Sequence, residues 1–227
     1  MQQHARMPGS PSIDLFGDDP VAARQTYGRL LGVPDRDRFV VDNATVRIHP
    51  GSAADNRVMF GVENYASAAR LLGRRGLALT ESGPGRAVAD DAPVGIGAIV
   101  ERTPVENCDI TTIDHLVFDA PSRDGAVALF GATLGFDFRL ERSVFDDAIQ
   151  LFFRTPAVVI EVLVRRDGPP RTTLWGIAWR SSDIVATHHR LGADGITVTP
   201  IRDGRKPGTR VFTVKEPALV VPTLVIA

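Results

Sequence analysis

Short apolar runs and amphipathic stretches alternate along this chain, and the alternation repeats. Residues 12–33 read SIDLFGDDPVAARQTYGRLLGV, and residues 112–136 read TIDHLVFDAPSRDGAVALFGATLGF. Each is a short strand, a turn carrying Asp and Pro, an amphipathic helix with an aromatic residue near its end, and then Leu-Gly. Tyr27-Gly28 answers to Phe130-Gly131, and Leu31-Gly32 to Leu134-Gly135. Residues 56–80 and 175–199 form a second pair. In each, a strand leads to a cap residue (Asn64, Asp183), a helix, a glycine stop (Gly76, Gly195) and another strand. Four units therefore begin strand–helix–strand.

The segments after each helix predict further strands. In the third unit these are Asp137–Arg142, Ala148–Arg154 and Ala157–Val164, with turns at Asp146-Asp147 and Thr155-Pro156. That unit reads β-α-β-β-β. The fourth runs Trp175–Arg180, a helix from Asp183, then Ile196–Thr199, Thr209–Lys215 and Leu219–Ile226. The first half shows fewer strands, near Arg38–Val41, Thr45–His49 and Pro93–Glu101, and reads as an eroded version of the second. Pro104, Asn107 and Asp109 interrupt the pattern, which puts a domain boundary in Arg102–Thr111.

Composition narrows the function classes. A chain of 227 residues that is 44% hydrophobic can bury a substantial core. Its 26 basic and 27 acidic residues nearly cancel, so charge offers no case for nucleic acid or an anionic membrane as partner. No apolar run reaches the roughly 18 residues of a membrane helix. Met1 to Ser12 is polar and lacks an apolar signal core. Cys108 is the single cysteine, which excludes an intrachain disulfide and a cysteine-based zinc site; a reducing cytoplasm is the expected location.

IDHLVF opening a unit, LF and LGF closing its helix, and VVIEVLV ending it resemble the vicinal oxygen chelate superfamily. That superfamily includes glyoxalase I, extradiol dioxygenases, methylmalonyl-CoA epimerase and the bleomycin- and fosfomycin-resistance proteins. The resemblance covers residues 112–227 well and residues 12–101 weakly. It implies an α+β fold of two tandem domains, residues 12–101 and 112–227, each built from paired β-α-β-β-β units with cupped mixed sheets. The second domain would carry the site. The resemblance also implies a divalent metal ion (Fe, Mn, Zn, Ni or Co), held by first and last strands, with His115 and Glu161 on two of the four ligand positions. The other two fall at Gly176 and in a last strand, Leu219–Ala227, that has no acid or histidine. In the first domain, the equivalents of His115 and Gly176 fall near Ser12 and at Arg57. A homodimer, supplying ligands from another unit, would also fit the superfamily.

The residues speak independently for the same pair. Strict alternation puts Ile113, His115 and Val117 on one face of their strand, and Val159, Glu161 and Leu163 on one face of theirs. A carboxylate in Val-Val-Ile-Glu-Val-Leu-Val needs a partner or a metal once buried. Glu161 is then a candidate metal ligand or, if not ligated, a candidate general base. The basic loop from Arg202 to Arg210 offers Arg205, Lys206 and Arg210 as an anion clamp for substrate.

Other residues have plainer readings. Trp175 and Trp179 are expected in the core, opposite Gly176. His188 and His189 point about 100° apart on a helix and do not share a ligand face. His49 is expected to end a strand, His4 to lie in a loose tail, and Asp146-Asp147 to make a turn.

The expected function is a metal-assisted lyase, isomerase or epimerase acting on a small oxygen-rich metabolite. One alternative is a non-catalytic protein that binds a small hydrophobic molecule. A further one is an extradiol dioxygenase-like activity, which by resemblance requires a histidine near Gly176.

Overall fold

The computed structural model of the chain describes residues 9–99, 108–144 and 148–227. His4, Asp146 and Asp147 lie outside these described residues, as does most of the expected boundary segment. The first half contains β1 (Ser12–Gly17), α1 (Pro20–Leu31), β2 (Arg38–Val41), β3 (Ala44–Pro50), β4 (Arg57–Val62), α2 (Tyr65–Arg74), β5 (Leu79–Gly83), β6 (Arg86–Ala89) and β7 (Val94–Ala98). The second half contains β8 (Ile110–Ala120), α3 (Arg123–Ala126) running into a wide π-helical turn (Val127–Thr133), β9 (Asp137–Val144), β10 (Ala148–Arg154), β11 (Val159–Arg165), β12 (Thr173–Ser181), α4 (Ile184–Ala193), β13 (Arg202–Asp203), β14 (Arg210–Val214) and β15 (Thr223–Ile226).

Two mixed sheets result, with strand orders β2-β3-β1-β4-β7-β6-β5 and β13-β14-β15-β12-β8-β11-β10-β9. In both, a central antiparallel pair (β1–β4, β8–β12) is flanked by parallel partners (β3 and β7; β11 and β15). That is the paired-unit pattern predicted from sequence. The helices start and stop where predicted. Asn64 and Asp183 accept from backbone N–H groups of the first turn. Gly32, Gly76, Gly135 and Gly195 all take φ between 74° and 87°, a region that favours glycine and ends the preceding helix.

The first half carries more strands than its apolar pattern predicts. Among the described residues it has seven strands: β5 falls where a strand is expected after Gly76, whereas β6, only four residues long, is too short to show a period. Conversely, Ile196–Thr199 forms no strand; Val198 makes a single bridge to Val214.

One face of each sheet packs into a continuous apolar core with the helices. Ile13, Leu15, Val46 and Ile48 contribute from the first half, and Leu116, Phe118, Ile160 and Val162 from the second. The halves also touch through Phe60 and Phe136, whose rings meet edge-on at 4.9 Å. Arg190 on α4 donates to the Asp109 carboxylate at 2.9 Å and to the carbonyl of Arg29 at 2.6 Å. The opposite faces are the concave cups.

Candidate functional site

The second cup is lined by alternate residues of β8, β10, β11 and β12. On β11, Ile160 and Val162 enter the core, so Val159, Glu161 and Leu163 face the cup as predicted. On β10, Leu151 and Phe153 enter the core, which leaves Gln150 and Phe152 on the cup side.

β8 departs from strict alternation. Ala178 pairs with His115, but its neighbour Trp179 pairs with Ile113, so Asp114 is an extra residue in a β-bulge. Ile113 and Leu116 are both core residues, 2% and 0% exposed. Ile113 therefore does not share the face of His115. The two residues between them, Asp114 and His115, both turn to the cup. The bulge is what lets adjacent residues meet there: Asp114 Oδ2 lies 2.8 Å from His115 Nδ1.

β12 carries a matching bulge at Trp175, between the Leu174–Phe118 and Gly176–Val117 pairs. Leu174 and Ile177 are in the core, so Trp175 and Gly176 face the cup. The expectation for Trp179 holds, since it is fully buried. Trp175 is instead 41% exposed on the cup side, a correction that follows from the bulge.

The structure brings the two sequence-predicted ligand residues together. His115 Nε2 and Glu161 Oε2 stand 3.5 Å apart. The far side of each is engaged. Asp114 is held in turn by Arg180. A carboxylate can only accept, so His115 donates to Asp114 from Nδ1, and Nε2 is the ring nitrogen that faces Glu161 and the cup. Glu161 Oε1 accepts from Gln150 Nε2 at 2.6 Å, and Gln150 Oε1 accepts from Arg142 Nε at 2.6 Å. The Arg142 guanidinium also lies over the Phe152 ring, 5.0 Å from its centre. Burial alone would raise the Asp114 carboxyl, but hydrogen bonds and charge from His115 and Arg180 outweigh it and hold it below its ordinary value.

Two donors facing one space, each braced from behind, suit two corners of a divalent-ion shell. The described residues offer no third corner. A Cβ built on Gly176 would sit 2.9 Å from the Pro222 carbonyl oxygen, so backbone fills that place. Leu224, opposite Ala178 on β15, stands in the register that Glu161 holds on β11. Among the described residues, no three His, Cys, Asp or Glu side chains are placed to share an ion.

Arg205, Lys206 and Arg210 are not brought to this pair. They are exposed on the β13–β14 hairpin, with β15 and β12 between it and β8. The hairpin turn closes on itself through Gly204 N to Thr209 O at 2.8 Å. His188 hydrogen-bonds the Thr199 carbonyl at 3.0 Å, and its neighbour His189 is exposed. Cys108 is half-buried, and burial pushes its thiol up, away from thiolate chemistry. Asp114, Gln150, Arg142, Arg180 and Trp175 were not anticipated. The sequence signal for the first was present, since Asp114 sits beside His115, but alternation assigned it to the opposite face.

Solved structures resemble the whole chain. A substituted variant of 4-hydroxymandelate synthase from Streptomyces coelicolor is 12% identical, with a TM-score of 0.72 over 98% of this chain and 92% of that one. A xylose isomerase-like TIM barrel/4-hydroxyphenylpyruvate dioxygenase fusion protein is 14% identical, with a TM-score of 0.66 over 96% of this chain and 48% of that one. The chain has the vicinal oxygen chelate fold, in tandem. Methylmalonyl-CoA epimerase from Mycobacterium tuberculosis matches 54% of this chain and 91% of its own, at 18% identity and a TM-score of 0.46. No protein-family model and no curated protein matches the sequence. Within the vicinal oxygen chelate fold, His115 and Glu161 occupy a first and a last strand of one unit. No helix is long and apolar enough to cross a membrane among the described residues.

Proposed function

We propose that the second cup is the active site of a metal-assisted lyase, isomerase or epimerase acting on a small oxygen-rich metabolite. The observation that supports this best is the approach of His115 Nε2 and Glu161 Oε2 to 3.5 Å, with the other side of each already hydrogen-bonded. These two atoms would hold a divalent ion, and water or neighbouring substrate oxygens would complete its shell. When bound, such an ion stabilises negative charge developing on a substrate oxygen.

The chain's own residues supply the rest. Asp114 fixes the His115 tautomer, and Gln150 orients Glu161. Where Glu161 is not itself bound to the ion, its carboxylate is the candidate base for a proton on carbon beside a carbonyl group. Val117, Val159 and Leu163 flank it on the cup side and limit water there. Trp175 and Phe152 offer apolar walls, and Arg142 and Arg180 supply guanidinium groups for a substrate carboxylate.

The test is metal analysis of purified protein with titration of Mn, Fe, Co, Ni and Zn, repeated on His115→Ala and Glu161→Gln. The expected result is uptake of one ion per chain, weakened in both variants. If the wild type takes up none, or both variants bind as it does, the metal-assisted reading fails.

A second reading, sequestration of an aromatic molecule without chemistry, is favoured by the exposed Trp175 and by the closed Gly176 position. It predicts thermal stabilisation by organic ligands and none by metals. The neighbours named a dioxygenase and a synthase keep the dioxygenase-like alternative in view, but the histidine it needs by resemblance has no room at Gly176.

A further inference from the structure

The first cup has the same register with different chemistry. In the second cup, Val117 lies between Glu161 on one neighbouring strand and Gly176 on the other. In the first, Asp14 lies between Arg47 on β3 and Arg57 on β4. The pairing that sets His115 opposite Val159 sets Ser12 opposite Thr45. Ser12, Arg47 and Arg57 thus stand where His115, Glu161 and Gly176 stand in the second cup. Core residues Ile13, Leu15, Val46, Ile48 and Val58 alternate with them, so all three face the cup. Two guanidinium groups at these places exclude a cation and invite its opposite.

Among the described residues, not all of these donors are used up. The Asp14 carboxylate is buried and already held by Arg86, with His49 Nε2 at 3.4 Å. Arg47 Nε is buried without a hydrogen-bond partner among the described residues, and its nearest carboxylate is that of Asp37, exposed at the rim, 3.7 Å away. The Ser12 hydroxyl is likewise buried without a partner. Arg57 donates from Nε to the Asp55 carbonyl and lies over the Phe16 ring at 5.0 Å. His49 stacks on that ring, with centroids 4.9 Å apart, so the aromatic surface is taken. Of the remaining nearby charges, Arg38 is paired with Asp35. Buried polar atoms are rarely left unpaired, and a guanidinium fork matches an oxyanion in geometry and charge.

We propose that the first cup binds a small oxyanion, the carboxylate or phosphate group of a metabolite, between Arg47 and Arg57, with the Ser12 hydroxyl as a further donor. The site is separate from the His115–Glu161 pair and does not depend on its reading.

The test is calorimetric titration of the full chain with inorganic phosphate and, separately, with malonate, at constant ionic strength against chloride. Saturable binding of either anion is expected, and which one binds tells the phosphate source from the carboxylate source. Arg47→Gln and Arg57→Gln should each weaken it by about tenfold or more, while His115→Ala leaves it unchanged. Circular dichroism checks that each variant is folded; if Arg47→Gln is not, Arg57→Gln decides alone. Failure of both anions to saturate, wild-type binding by a folded arginine variant, or loss of binding in His115→Ala overturns the proposal.

Discussion

The side chain of Asn43 grips Ile113 by both of its backbone polar groups. Nδ2 donates to the Ile113 carbonyl at 2.8 Å, and Oδ1 accepts from the Ile113 N–H at 2.8 Å. Nδ2 also donates to the Ala157 carbonyl at 2.9 Å. Asn43 sits in the turn between β2 and β3 of the first half. Ile113 immediately precedes the bulge that presents Asp114 and His115, and Ala157 leads into β11, which carries Glu161. One residue of the first half therefore ties down both strands of the candidate site. Asn43→Ala should cost about 1–3 kcal/mol of stability by leaving these groups unpaired. Urea unfolding measures that cost, and metal titration should show a weaker His115–Glu161 site. Unchanged values in both would show that the first half does not brace the second.

Asp114 predicts a pH dependence. Its folded pKa lies below its unfolded value of about 3.9. The folded chain therefore binds that proton less readily than the unfolded one. Its contribution to stability is in full above about pH 4 and is lost as pH falls through the depressed folded value. Asp114→Asn should be less stable than wild type near neutrality, with the gap narrowing under acid conditions. Urea titrations of both proteins across that range check it, and a gap that widens in acid would contradict the assignment.

Gly176 is required by space. A Cβ there would lie 2.9 Å from the Pro222 carbonyl oxygen, which itself accepts from the Ile177 N–H at 3.0 Å. Neither group can move without shifting a strand. Gly176→Ala should lower stability by about 1–3 kcal/mol through overpacking. A thermal melt equal to the wild type's would mean that the last-strand segment yields more easily than this packing implies.

The two tryptophans should behave oppositely. Trp179→Ala removes a fully buried side chain and should cost about 3–5 kcal/mol, whereas Trp175→Ala should change stability by under about 0.5 kcal/mol. Acrylamide should quench the Trp175 indole and spare that of Trp179, read as fluorescence of the single-tryptophan variants. Equal quenching would place Trp175 in the core after all.

Much of the architecture was legible in the chain. Asn64 and Asp183 marked helix starts, and Gly76 and Gly195 marked helix ends, because capping and left-handed backbone are demands met by the residue itself. The side Glu161 faces was legible too, since β11 alternates without interruption. The short β6, Arg86–Ala89, was not, because four residues carry too little period to stand out from a turn. Nor was the proximity of Asn43 to Ile113, which are 70 positions apart.

Local preference and periodicity, both properties of neighbouring residues, determined the repeated strand–helix units and placed a histidine and a glutamate on strands of one unit. Only the tertiary structure decided that Asp114 and His115 share a face, that Trp175 leaves the core, and that Arg47 and Arg57 flank Asp14. A bulge exists only in the pairing of one strand with another, and a cross-strand neighbour is chosen by sheet register. Neither is a property that any stretch of sequence possesses before it meets its partner.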